Sequence, residues 1–589
     1  MSPDPINKRP VSIWPDLGSI KSFSDLPYQH ARLNILEIES RVMERYLRSQ
    51  RDTQSVREKM DGYYAALSHF LEQAALVTAM HLMETTDNRL IDEYRYYQDL
   101  DLELNRLVFQ AFKGLLTQDS IYDLGQAFGK TNLLALYNLG LLADEADTDL
   151  AKQEYRLTLQ FKKRYFADKP LERTAVHSLQ INPFVYFEPD YSASDFLWIE
   201  DDLARELQQI RLAITDAERQ ENFSALSNRR LGILDHSATE LQAARDTIAH
   251  WLVPIASYDR NRKSLNSSGD INHLYPHPVS TVKLNEDLPD PIWGEDLAEL
   301  AQIWGDRERN PNEGIYSYPL SSSFIEMIEE TFSPEMAESL QTLQERGYIR
   351  STKRDQSISL WLPQSKLPFT LMERLNRSQD IGTGIYMLGH SLASLTTRED
   401  QQIALRLAPK DFQQAKAAAF FALVLDRIPQ LYENPVAAKS VRDAYLLKLL
   451  NQTIYSAMVD ELQDFIYSQA YDAKAIGEYW LYLLERWYPD LADKHEWLLA
   501  QEQSWRQIPA LIVAPYQSTV EFTTQLFALR MWDLAKDDFG RAKKAYTSFI
   551  QAKRSASLSE ALDAASLKSV YDIDGIKRLA YQISVALDI

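Results

Sequence analysis

From about residue 31 to 165 the apolar positions recur at helical spacing: Ile35, Ile38, Val42, Met43 and Tyr46 form one set, Phe70, Ala74 and Val77 a second, and Leu76, Met80 and Met83 a third. This spacing predicts packed antiparallel helices. From about 166 to 200 the pattern breaks, where ADKPLERT and INPFVYFEPDYSASDF bring prolines, aromatics and short polar residues together. Helical spacing returns from Trp198 to about Val253. The next stretch, to about 320, contains Asn266-Ser-Ser-Gly269, Pro276, Pro278, Pro289, Pro291 and Asn310-Pro311, and predicts a long irregular connection. After a helical run from Ser322 to Glu345, Ser357-Ile358-Ser359-Leu360-Trp361-Leu362 alternates polar and apolar, the pattern of a strand in a small sheet. From Ser378 to the C-terminus the pattern is almost wholly helical, interrupted near 428–436, 488–494, 508–516 and 570–574. The breaks divide the chain into an N-terminal helical lobe (1–200), a helical segment with the long connection (201–320) and a C-terminal domain (321–589).

Composition narrows the function classes. The 589 residues carry 63 Lys and Arg against 84 Asp and Glu, a formal charge of −21 that disfavours nucleic acid and anionic lipid as partners. Cysteine is absent, which removes disulfides, thiolate metal sites and a cysteine nucleophile together. The 18 glycines are under half the usual share of ~7%, as expected of a helical protein. The N-terminal MSPDPINKRPVSIWPDL has no apolar core of a signal peptide. The longest uncharged apolar run, Ala417 to Leu425, is less than half the ~20 residues of a membrane span. The expectation is a soluble, cytoplasmic protein without membrane insertion.

No G-x-S-x-G, P-loop or H-E-x-x-H occurs. The informative segment is Pro368-Phe-Thr-Leu-Met-Glu-Arg-Leu-Asn-Arg-Ser-Gln-Asp-Ile-Gly-Thr-Gly-Ile385-Tyr386-Met387-Leu388-Gly389-His390-Ser391-Leu392. It closely resembles the zinc-site segment of the oligoendopeptidase F branch of the M3 metallopeptidases, which ends in a His-Glu-Leu-Gly-His-Ser core. Leu388, Gly389, His390 and Ser391 match that core. Tyr386 stands at the first zinc histidine and Met387 at the glutamate that polarises water.

The following helix of the family carries the third zinc ligand in an Ala-Glu-Val-Ala-Ser-Thr-Phe-Asn-Glu run, which Ala415-Lys416-Ala417-Ala418-Ala419-Phe420-Phe421-Ala422-Leu423 resembles in register. Lys416 takes the ligand position and Leu423 the second acid. Asn451 to Val459, which includes Tyr455, resembles a further family helix, with Ala457 and Val459 at its acidic positions. Trp505-Arg506-Gln507-Ile508-Pro509 resembles the entry to a His- and Tyr-rich substrate loop, here Ala510 to Tyr516, where only Tyr516 keeps a phenol. Towards the C-terminus, Lys553 and Arg554 replace paired glycines. The resemblance is clear over about 315–589.

A zinc of this type needs two imidazoles at i and i+4 and a carboxylate from a neighbouring helix. A phenol with a pKa of ~10 is a poor ligand at pH 7, and an ammonium has no lone pair to give. The expectation is therefore a vestigial site at Tyr386, Met387, His390 and Lys416, with no catalytic residue, no metal and no cofactor. Lys416 is expected to take over part of the missing cation's charge, facing a neutral His390. Ile381, Ile385, Leu388, Leu392 and Leu395 give the helix a packing stripe in any case. The pairs Glu329-Glu330, Asp201-Asp202 and Asp537-Asp538 read as solvated faces.

The resemblance implies the mainly α-helical, two-lobed clam shell of M3 peptidases, with a deep channel and a small β-sheet. Its C-terminal part, 321–589, is then the peptidase-like domain. The function expected is a catalytically inactive homologue binding a peptide, protein or small ligand in the inter-lobe channel, with Tyr386, His390, Lys416, Tyr455 and Tyr516 as candidate ligand contacts. One alternative is a divergent zinc metalloendopeptidase with relocated ligands drawn from His273, His277 or Glu373. Another is a metal-free enzyme using Tyr386, His390 and Lys416.

Overall fold

The computed structural model describes residues 33–49, 53–82, 88–99, 101–117, 148–166, 185–187, 199, 201–231, 237–266, 322–352, 357–373, 378–396, 410–431, 435–491, 501–508, 510–552 and 557–589. The first helices are α1 (Leu33–Arg48), α2 (Thr53–Leu82), α3 (Asn88–Asp99), α4 (Asp101–Lys113) and α5 (Asp149–Phe166), followed by strand β1 (Val185–Phe187). Next come α6 (Asp201–Ala217), α7 (Phe223–Leu231), α8 (Ala238–Trp251), α9 (Val253–Asn266), α10 (Ser322–Thr331) and α11 (Pro334–Glu345). Strands β2 (Ile349–Thr352), β3 (Ile358–Leu362) and β4 (Leu367–Glu373) lead into α12 (Ser378–Thr396), α13 (Lys410–Val424), α14 (Pro435–Ser468) and α15 (Ala473–Trp487). The C-terminal part is α16 (Ala510–Val513), α17 (Gln517–Asp537), α18 (Phe539–Gln551), α19 (Leu558–Ala564) and α20 (Ile573–Leu587). Among the described residues no helix is long and apolar enough to cross a membrane.

Local chemistry starts these helices where the pattern breaks. Ser333 caps α11 ahead of Pro334, which supplies a fixed φ at the first helical position. Asp472, Asp538 and Asp572 accept amide N–H groups at the starts of α15, α18 and α20, and Ser557 with Glu560 forms a reciprocal capping box on α19.

The packing of α1 departs from the expected face. Ile35 and Ile38 are 56% and 60% exposed, whereas Leu36, Ser40, Met43 and Leu47 are buried. The partner decides this: a Cβ on Gly114 at the end of α4 would lie 2.4 Å from the Glu44 carbonyl and 2.8 Å from Leu47 Cβ. Two apolar stripes compete on α1, and the close approach at Gly114 covers the one bearing Leu47.

The sheet runs β1-β3-β4-β2, with β3 antiparallel to both β1 and β4 and β2 parallel to β4. Sequence pattern identifies β3, but its alternation does not mark a solvent face, because all five residues are buried. Helix α2 packs on β3, and α12 packs on β3 and β4. The polar Ser359 turns inward, 3.4 Å from Thr370 of β4, whose hydroxyl lies 2.5 Å from that of Ser391 on α12. Strand β4 escapes the period-two signal because both of its faces are covered, residues 367–372 all being buried. Pro368 is tolerated at its start, before the β2 pairing opens at Ile349 and Thr370.

Helices α12, α13, α14 and α17 form the C-terminal core, with α13 and α14 both against α17. The helices of 201–266 are bonded to this core. Gln208 donates to the Gln469 carbonyl at 2.9 Å, Arg506 donates to Asp201 at 2.9 Å, and the Tyr471 hydroxyl donates to Asp201 at 2.9 Å. Asp201 is thus an ion-pair partner and not only a solvated acid. Deeper, Arg245 of α8 pairs with buried Asp460 and with Asp464 of α14, the latter at 2.7 Å. Replacing Arg245 by leucine leaves the Asp460 carboxylate buried without its cation, and should lower the unfolding free energy by about 3–5 kcal/mol in urea denaturation.

Candidate functional site

Helices α12 and α13 carry the altered motif, and a glycine sets their separation. A Cβ on Gly389 would stand 3.0 Å from Ala417 Cα and 3.0 Å from Phe420 Cβ. The run Ala417, Ala418 and Ala419 presents only methyl groups, so the backbones meet here. Phe420 then stacks on Phe332 with ring centroids 4.7 Å apart. Glycine is required a second time at Gly382, whose N–H donates to the Tyr445 hydroxyl at 2.8 Å and whose Cβ position is 2.4 Å from that ring.

On this frame three of the sequence-identified residues come together. The Tyr386 and His390 rings meet edge to face, with centroids 4.9 Å apart, as i, i+4 neighbours should. Lys416 of α13 is 1% exposed, and its Nζ lies 4.0 Å from the centre of the Phe412 ring. Burial, reinforced by the Lys416 charge, pushes the His390 imidazole down to about 3. His390 is 2% exposed and neutral at pH 7, while Tyr386 is partly exposed. Lys416 is buried, and its charge reaches the His390 imidazole.

Met387 is fully buried and supplies a carbonyl, which accepts the Ser391 hydroxyl at 3.2 Å. Its thioether has no capacity to take a proton from water. Leu388 and Ser391 serve packing: Leu388 lies in the core, and Ser391 ties α12 to Thr370 of the sheet. The motif positions that match the family's core are, His390 apart, those with mechanical work.

The other candidates lie in different surroundings. Tyr455 of α14 is partly buried, and burial with Tyr488 and Glu521 nearby holds its phenol well above the usual range. Tyr516 is buried at a left-handed φ of 63°, ahead of α17, with its N–H donating to Gln463 at 2.8 Å. Burial, with the Asp464 and Asp460 carboxylates nearby, raises its phenol well above the usual range. The preceding run Leu511 and Ile512 is anchored by its carbonyls, which accept from Tyr467 at 3.2 Å and from Arg211 at 2.7 Å. Arg211 and Arg230 in turn hold Glu154, overcoming the upward push of burial to bring that carboxyl down to about 2. His273, His277, Lys553 and Arg554 lie outside the described residues, as does the side chain of Glu373. No group of three His, Asp or Glu side chains converges as a metal site among the described residues.

Sequence reading does not identify the buried polar set of Arg245, Asp460, Gln463, Ser518 and Thr519. Thr519 donates to Asp460, and Ser518 donates to Gln463 at 2.8 Å. Helical spacing places such residues on one face, but their partners are up to 219 residues away in the chain.

No family profile matches the chain, and no curated protein sequence does so significantly. Solved structures do. A putative oligoendopeptidase F aligns over 97% of this chain and 99% of its own, at 17% identity and a TM-score of 0.70. PZ peptidase A, solved with an inhibitor, aligns over 96% and 99% at 16% identity and 0.69. A putative oligoendopeptidase F from Bacillus anthracis aligns over 97% and 98% at 14% identity and 0.69. The protein therefore has the mainly helical, two-lobed fold of the oligoendopeptidase F peptidases, as the motif resemblance implies.

Two outcomes follow from the α12–α13 geometry. Gly389→Val forces branched atoms into the Ala417 and Phe420 contact and should destabilise by about 1–3 kcal/mol, read as a lower denaturation midpoint. His390 has a folded-state pKa near 3 against its ordinary 6.5, so the unfolded chain binds the extra proton first as pH falls. Its contribution to stability is complete above about 6.5 and is lost progressively towards 3. The difference in melting temperature between wild type and His390→Asn should shrink on acidification across that window, and the ring resonances of His390 should not titrate between pH 8 and 5.

Proposed function

We propose that this protein is a catalytically inactive homologue of the oligoendopeptidase F-like M3 peptidases that binds a peptide, protein or small ligand between its lobes. The carrying observation is the donor set at Tyr386, His390 and Lys416. A catalytic zinc takes three protein ligands and leaves a fourth position for water. Here a phenol, one neutral imidazole and an ammonium stand at those positions, within a packed interior. These residues do not fit zinc, and no hydrolytic step passes through them. With Met387 at the general-base position, a metal lodged there would still lack the proton acceptor, which is typically worth ~10²–10⁴ in rate.

The ligand-binding half of the reading is supported by the fold, since PZ peptidase A was solved with an inhibitor. Tyr386 and Tyr455, both partly exposed, are the more accessible of the candidate contacts, while His390, Lys416 and Tyr516 are buried. In this reading 1–200 is one lobe and 321–589 the peptidase-like domain. The helices of 201–266 move with the latter, through Asp201, Gln208 and Arg245.

Elemental analysis of the purified protein should find zinc well below one equivalent, and unstructured peptides should survive incubation with it. Stoichiometric zinc with chelator-sensitive cleavage would overturn the proposal in favour of relocated ligands. Chelator-resistant turnover abolished by Tyr386→Phe would replace it with metal-free catalysis.

A further inference from the structure

Helix α20 carries apolar residues on two faces. Ile576, Leu579 and Ile583 are buried where the helix packs on α8 and α17. The other face is open: Ile573, Tyr581 and Val585 are 40%, 66% and 55% exposed, among the most exposed large apolar side chains of the described residues. With Lys577, whose side chain is 45% exposed, they recur at every fourth position and so form one stripe along the outside of the helix. From Ile573 to Val585 the stripe is about 18 Å long at 1.5 Å per residue. Single exposed apolar residues are ordinary, whereas a contiguous row of them is the mark of a contact surface.

The order along this stripe, apolar, cation, aromatic, apolar, is complementary to its own reverse. Two copies related by a two-fold axis perpendicular to α20 bring their helices together antiparallel. With the axis level with Leu579, Ile573 meets Val585 of the partner subunit, and Lys577 meets the ring of the partner's Tyr581, each contact being made twice. The same register brings Asp588, with a side chain 71% exposed, to the end of the helix that carries the partner's Lys568, 74% exposed. Other arrangements set like charges together. An axis level with Lys577 opposes that residue to the partner's Lys577, as does a parallel pairing, and an axis level with Tyr581 opposes Asp574 to the partner's Asp588. Within one chain Lys577, Asp588 and Lys568 pair with Asp574, Lys439 and Asp572 at the solvent surface, and such ion pairs hold their side chains only weakly.

We propose that the outer face of α20 is a self-association surface, on which a second copy of this chain docks antiparallel through Ile573, Lys577, Tyr581 and Val585. A contact built on one pair of helices lies at the small end of specific interfaces, below about 1,200 Å², so the dimer forms reversibly with concentration. The surface is independent of Tyr386, His390 and Lys416 and of what the protein binds, so its test can fail separately from the functional proposal.

Sedimentation velocity of the full chain over a micromolar concentration series should show a monomer–dimer equilibrium. Tyr581→Asp should weaken that equilibrium about tenfold or more and leave the melting temperature unchanged, because the side chain is solvent-exposed in the monomer. The register has its own test, since the chain contains no cysteine and Ile573→Cys and Val585→Cys proteins each carry a single thiol. Mixed under mild oxidation, the two proteins should form a covalent dimer with one another. Neither should do so alone, because identical positions lie about 18 Å apart along the paired helices, beyond disulfide reach. A monomer throughout the series would overturn the proposal and leave the stripe to a partner other than a second copy. A dimer indifferent to Tyr581→Asp, or cross-linking of either variant alone as efficient as in the mixture, would overturn it as well.

Discussion

The approach of α12 to α13 at Gly389 and Ala417 is the constraint on which the rest of the site depends. Where two helix backbones meet without an intervening side chain, the positions one turn away on each helix are brought within reach of one another. That brings His390 within the electrostatic reach of Lys416. It also explains which part of the motif stands unchanged. Gly389 and Leu388 maintain the contact and Ser391 fastens the helix to Thr370, so these answer to packing. Tyr386, Met387 and Lys416 carry the phenol, thioether and amine that the frame holds around His390.

Buried charge is handled in three different ways. Glu154 sits between Arg211 and Arg230, and Arg245 sits between Asp460 and Asp464, each an arrangement in which opposite charges offset the loss of water. Lys416 is instead set against the face of Phe412 and beside an imidazole. The ring quadrupole favours the cation, and the cation in turn discourages protonation of His390.

The polar ties also shape the larger architecture. Arg506 and Tyr471 on Asp201, Gln208 on the end of α14, and Arg245 on its middle join 201–266 to the C-terminal core. Glu72 of α2 likewise accepts the backbone N–H groups of Gln364 and Ser365 in the β3–β4 turn. Each tie spans hundreds of residues, which is why none is visible as a local pattern.

The sequence by itself determined the helical class, the β3 strand, and the phenol and amine that Tyr386 and Lys416 bring to α12 and α13. These are properties of residue type and short-range spacing. Only the tertiary structure decided that α1 buries Leu36 and Ser40 instead of Ile35 and Ile38, that β4 is a strand despite Pro368, and that Tyr516 is buried. It also decided that Lys416 is buried against the Phe412 ring. Which stripe of a helix is covered, and which charge loses its solvent, depends on the partner across the contact, and that partner is specified by the whole chain at once.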